Sequence, residues 1–225
     1  MERQHFEQQL QGLKSRLLIM AALVEERVHE AVRALTERRS ELAEQVIAGD
    51  KDVNDLQIEI DDRCLKLLAL QNPMASDLRL VTAAIKINAD LERIGDQAVN
   101  VAEQALKLIR LPPLKPLIDI PRMAEMAERM TRDSLDAFVR RDGALARTVL
   151  ARDDEVDALK DQLFRELLTY MLADPGTIER ALSLILVSRC LERIADHATN
   201  IAEDAIFIAE ARDVRHHHEQ TQTRP

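Results

Sequence analysis

Apolar residues recur along this chain at helical spacing, three and four positions apart. From Leu56 onward, Ile60, Cys64, Leu67 and Leu68 fall on one side of a helix, which is the spacing of a buried stripe. Near residue 100, Leu91, Ile94, Ala98, Val101, Ala102 and Ala105 lie toward one side, with Glu92, Asp96, Asn100 and Glu103 on another. Both segments predict long amphipathic helices.

The pattern then repeats. "LERIGDQAVNVAEQA" at 91–105 returns as "LERIADHATNIAEDA" at 191–205, identical at ten of fifteen positions with an offset of 100. Upstream, 34–56 aligns with 137–159 at an offset of 103, pairing Arg38 with Arg141, Leu42 with Leu145, Asp50 with Asp153 and Val53 with Val156. The three-residue difference falls at the turn, "QNPMASDLR" against "ADPGTIER", each with a proline near a helix start. Between the halves lies "RLPPLKPLIDIP", whose Pro112, Pro113, Pro116 and Pro121 exclude a continuous helix.

Each half therefore predicts three long helices, over 2–38, 40–70 and 75–110 in the first and 121–140, 143–172 and 175–212 in the second. Consecutive helices joined by short turns pack antiparallel into a bundle. The expected fold is all-α: two tandem three-helix bundles, six long helices in total, related by internal duplication. The repeats are expected over 1–110 and 121–212, with a proline-rich linker over 111–120. A tail over 213–225 is expected to be disordered, its three histidines available to bind metal adventitiously. Met20, Met74, Met123 and Met126 read as core filler.

Composition supports the fold class. Aromatics make up 2% of the chain and glycines number five, too few of either for a sheet protein of this size. Ala, Leu, Glu and Arg, strong helix formers, dominate instead. The net charge of −9 is spread evenly over the two halves, leaving no basic face for nucleic acid or an anionic lipid surface. The two cysteines, Cys64 and Cys190, are isolated and have neither metal-ligand nor redox spacing. The longest apolar runs are too short to span a bilayer, and no export signal is recognisable, so the chain reads as cytoplasmic.

The acidic helices carry the candidate chemistry. Residues four apart overshoot a full turn by about 40° and rise by about 6 Å, so Glu92, Asp96 and Asn100 form one oxygen-bearing ridge. Glu192, Asp196 and Asn200 form its copy. Carboxylates at this spacing repel one another by about 0.2–0.5 kcal/mol, a cost a cation between them would remove. Carboxylate and amide oxygens suit hard ions such as Mg²⁺, Mn²⁺ or Ca²⁺, and also iron. A solvated acidic face explains the same residues without metal. The repeat favours ligands, since the acids recur while Gln97 and Val99 give way to His197 and Thr199. Gly95 marks a close approach by a packed helix or a ligand, and Ala195 at its equivalent shows that small size is what counts. A second helix should contribute ligands, the candidates being Asp157 with Asp161 in one half and Asn54 with Asp61 in the other. His197 has no counterpart and reads as a neighbour of the ridge. A diiron carboxylate site is disfavoured, because Glu26 and His29 have Arg129 and Arg132 as equivalents. Phosphate loops and hydrolase or zinc-protease motifs are missing from the chain, so no enzyme is expected.

"QNPMASDLRLV", "DLERIGDQAVNVAE" and the second "LERIADHATNIAE" closely resemble the PhoU family, accessory regulators of bacterial phosphate uptake, and the resemblance runs to about Arg212. It implies paired three-helix bundles whose acidic motifs bind iron, zinc, manganese or magnesium. Those motifs map onto Glu92 with Asp96 and Glu192 with Asp196, and on the second helix onto Asp157 with Asp161 and Gln57 with Asp61, where Gln57 departs from the acidic pattern. The resemblance further implies a non-enzymatic homodimeric adaptor. Its partners would be the ATP-binding subunit of the phosphate ABC transporter and a phosphate-sensing histidine kinase, with peripheral membrane association through those partners. The adaptor would repress the phosphate-starvation response when phosphate is plentiful. The other reading left open is a helical interaction module with solvated ridges and no metal.

Overall fold

In the computed structural model, residues 2–71, 73 and 75–214 are described. Met74 and the His-rich segment therefore lie outside the described residues. Helices α1 (Glu2–Thr36), α2 (Ser40–Ala48), α3 (Asp50–Gln71) and α4 (Ser76–Ile109) make the first half. Helices α5 (Asp119–Arg140), α6 (Gly143–Leu150), α7 (Asp153–Ala173) and α8 (Ile178–Glu210) make the second. No strand forms among the described residues. The fold is all-α and duplicated, as the periodicity predicts.

The middle rod of each half departs from expectation. A single helix was expected over 40–70 and another over 143–172, but each breaks after its first two turns, at Gly49 and at Ala151–Arg152. At Gly49 the guanidinium of Arg27 fills the space a Cβ would occupy, 2.6 Å away. The chain bends there, and the short α2 reaches α4 on its own. Helical periodicity is preserved across such a bend, so the pattern does not reveal it.

The duplication extends to backbone detail. Arg38 and Arg141 both take φ of 56°, the left-handed conformation that usually calls for glycine. In both copies the next amide closes back five residues, Arg39 N to Ala34 O and Asp142 N to Ala137 O, each at 2.9 Å. Arg38 has a further tie: its Nη2 donates to Ile109 O and Leu111 O, both at 2.6 Å. The side chain thereby fastens the end of α1 to the start of the linker.

α4 and α8 are the central pair. α1, α2 and α3 surround α4; α5, α6 and α7 surround α8; and α4 packs on α8 as extensively as on α1. Small residues let neighbouring helices come close to both members of the pair, with Ala83, Ala84, Gly95, Ala98, Ala102 and Ala105 buried on α4 and Ala181, Ala195, Ala198, Ala202 and Ala205 on α8. A single apolar core runs from Leu10 to Val214 through both halves. At Gly95, the added methyl of an alanine would sit 3.2 Å from Val53 Cγ1 and 3.6 Å from Val24 Cγ1. The close neighbours of that glycine are therefore packed helices. No helix among the described residues is long and apolar enough to cross a membrane.

Candidate metal ridges and the seam between repeats

On α4, Glu92 and Asp96 stand one turn apart and are both partly buried. Both carboxyls are pushed up from their usual range, first by desolvation and then by neighbouring acids: Asp96 and Asp50 for Glu92, Asp50 for Asp96. Asp50, the first residue of α3, therefore faces the ridge. Asn54 stands one turn on, and its Nδ2 donates to Asp50 Oδ2 at 2.9 Å.

The second half repeats the arrangement with one more acid and a cation. Asp153, the equivalent of Asp50, is pushed up to about 6 by burial and by Asp196, Asp157, Asp154 and Glu192. Asp196 is raised by burial and then by Glu192 and Asp157. Lys160 Nζ bridges the two helices, donating to Asp157 Oδ1 at 2.7 Å and Glu192 Oε1 at 2.9 Å. Those hydrogen bonds hold the ammonium more firmly protonated than usual, that to Asp157 first. Its equivalent in the first half is Gln57.

Several sequence candidates sit elsewhere. Asp61 accepts from Asn88 Nδ2 at 2.9 Å, and Asn88 also donates to Gln57 O. Asp61 is thus tied to α4 one turn before Glu92. Asp161 is exposed and lines a surface groove with Phe164, Arg189 and Glu192, but it is absent from the charges that raise Asp196. Asn100 is exposed. Asn200 Nδ2 turns away from its ridge and donates to Asp90 Oδ1 at 3.2 Å. Sequence reasoning passed over Asp50 and Asp153 as ligand candidates, although each lies one turn before a candidate, Asn54 or Asp157, and the two are paired by the repeat.

The seam between the halves is polar on one side. His197 Nδ1–H donates to Asp90 Oδ1 at 2.8 Å, and Lys86 Nζ to Asp204 Oδ1 at 2.9 Å. The repeat equivalents of these pairs are Gln97 with Cys190 and Leu186 with Gln104, so the seam is not symmetric. His197 acts electrostatically on Glu92, Asp96 and Asp196 together, placing it between the two ridges.

The donor chemistry fits a hard cation: Asp50, Asn54, Glu92 and Asp96 in one half, Asp153, Asp157, Glu192 and Asp196 in the other. Their geometry is open, however. Among the described residues no three His, Cys, Asp or Glu side chains converge closely enough to hold a metal. In the second half an ammonium already occupies the gap between the helices.

Fold and ridges together define a duplicated helical-bundle protein with one acidic ridge per repeat. The PhoU domain matches residues 17–105 and 120–205, and the chain belongs to the PhoU family. It is 46% identical to a phosphate-specific transport system accessory protein PhoU homolog of Aquifex aeolicus, over 93% of this chain and 95% of that protein. Identity to the phosphate-specific transport system accessory protein PhoU of Escherichia coli is 35%, over 94% and 88%. The crystal structure of PhoU from Pseudomonas aeruginosa superposes with a TM-score of 0.89 at 40% identity, covering 92% of this chain and all of that one. The phosphate transport system regulatory protein PhoU from Streptococcus pneumoniae superposes at 0.85 with 28% identity, over 93% and 99%.

Proposed function

We propose that this chain is a non-catalytic cytoplasmic regulator of phosphate uptake. It acts as a homodimeric adaptor between the ATP-binding subunit of a phosphate ABC transporter and a phosphate-sensing histidine kinase, reaching the membrane only through them. It holds the starvation response off while phosphate is plentiful. The observation that carries this reading is kinship over almost the whole chain to accessory proteins of phosphate-specific transport. Complementation tests it. In an Escherichia coli strain lacking its own accessory protein, this chain should restore low alkaline phosphatase activity in high phosphate. Unrestored, constitutive expression by a well-folded chain would count against the role.

The ridges are proposed as sites for iron, zinc, manganese or magnesium, the acid pairs Glu92–Asp96 and Glu192–Asp196 being completed from α3 and α7. A bound metal would supply positive charge that neutralises acids crowded by the fold. The chain's own part is to hold those acids partly desolvated and close. Elemental analysis of protein ending at Val214 and purified without chelator should find metal that is lost when Glu92, Asp96, Glu192 and Asp196 become alanine. Metal retained by that variant would refute the assignment. Protein that stays empty after incubation with all four ions would favour solvated ridges, the reading that the Lys160 bridge supports in the second repeat.

A further inference from the structure

Where the proline-rich linker leaves α4 it roofs a cavity of about 260 Å³. The floor is made by Leu35 at the end of α1, Leu108 at the end of α4 and Leu184 on α8, each no more than 7% exposed. Residues 112–117 close it from the other side, all of them apolar except Lys115. The cavity thus draws on both repeats and on the segment that joins them.

The fold does not require this opening. By the repeat, Leu35 corresponds to Phe138 and, at the offset of 100, Leu114 to Val214. The second repeat buries both, Phe138 completely. The first repeat has the smaller side chain at the one position and leaves Leu114 half-buried at the other.

Hydrogen-bonding groups around the cavity are almost all engaged within the protein. Prolines offer no N–H, and Pro112 O accepts from Arg180 Nη1 at 3.2 Å. Thr36 Oγ1 donates back to Val32 O at 3.0 Å. The Lys115 ammonium is paired with Glu166 and Asp119. Arg38, which also lines the cavity, is the exception. Its Nη2 donates to Ile109 O and Leu111 O, but a guanidinium carries five N–H groups, and Nε and Nη1 meet no partner among the described residues. The walls therefore offer apolar surface and, at one edge, a cationic fork of the kind that grips a carboxylate. A cavity of about 150 Å³ accepts benzene, so this one suits a hydrocarbon body of about eight to ten carbons.

We propose that this cavity binds a small amphipathic carboxylate, its hydrocarbon body against Leu35, Leu108 and Leu184 and its head on the unpaired N–H groups of Arg38. The site stands apart from the acidic ridges and does not depend on the role in phosphate uptake. Methyl-resolved NMR titration of the full chain with octanoate tests it. The methyls of Leu35, Leu108 and Leu184 should shift and saturate. Octanol, the same body without the charge, should bind about 10-fold more weakly for want of the charge-assisted hydrogen bonds. Arg38→Gln should erase that difference by weakening octanoate alone. Leu117→Trp, which narrows the cavity from the half-buried linker, should weaken both ligands with circular dichroism unchanged. Below micelle-forming concentrations, affinity should rise about fourfold per methylene from hexanoate to octanoate and level off by dodecanoate, whose body exceeds the cavity. Leucine methyls that stay still, octanol that binds as well as octanoate, or affinity still climbing at dodecanoate, as on an open apolar surface, would each overturn the site.

Discussion

At the scale of single residues, the ridges are places where the fold works against its own charges. Asp153 binds its proton up to about pH 6, against an ordinary value of 3.8, because burial and four acids oppose its ionisation. Between those values the folded chain holds more proton than the unfolded one, so stability falls as pH rises through that window. Asp153→Asn should therefore stabilise the chelator-treated protein by about 1 kcal/mol at pH 7, allowing for solvent screening of a half-buried group. The gain should vanish below about pH 4; urea titrations at both pH values check it, and an equal gain at both would deny the electrostatic origin. Lys160 offsets the same crowding. Lys160→Gln, which copies Gln57 of the first repeat, should cost about 1 kcal/mol in low salt. If the second ridge takes a cation, added Mn²⁺ or Mg²⁺ should recover that loss in a thermal melt; no recovery would mean that the ammonium alone serves there.

At the scale of elements, Gly95 decides how closely α4 approaches α3. Alanine there gains about 1 kcal/mol of helix propensity but places a methyl 3.2 Å from Val53, so Gly95→Ala should lie within about 1 kcal/mol of wild type. Gly95→Leu should cost about 2–3 kcal/mol by overpacking, and chemical denaturation of both variants separates the effects. A tolerated leucine would show that the contact can open. The same helices show what sequence could and could not disclose. Side-chain periodicity and the repeat reveal the six rods and the spacing of Glu92 with Asp96, since both depend on positions within one helix. The breaks at Gly49 and Ala151 keep the period, and so leave no trace in it. Which acids of the second rod face the ridge depends on the axial register between two helices. Spacing on one helix is silent about that register, which is why Asp61 and Asp161 stood out while Asp50 and Asp153 face the ridge. Lys160 was hidden for the same reason: its role needs Glu192, thirty-two residues away.

At the scale of the molecule, the repeat suggests two domains while the packing describes one body. α4 contacts α8, in the other half, as extensively as α1 in its own, and the apolar core is continuous from Leu10 to Val214. Polar ties cross the same boundary: His197 to Asp90 and Lys86 to Asp204 between α4 and α8, and Arg132 to Glu25 between α5 and α1. Splitting the halves would expose to water the face of α4 that packs on α8, with nothing in the first repeat to replace α8. The repeats should therefore unfold together. Far-ultraviolet circular dichroism and hydrogen exchange of amides in α4 and α8 should report one transition with a common midpoint in urea. Residues 1–116 expressed alone should be aggregated or only partly protected from exchange, for want of their partner helix. Two separate transitions, or a first half that folds as a monomer with native protection in α4, would show instead that each repeat carries enough core to stand by itself and that the α4–α8 contact joins two finished domains.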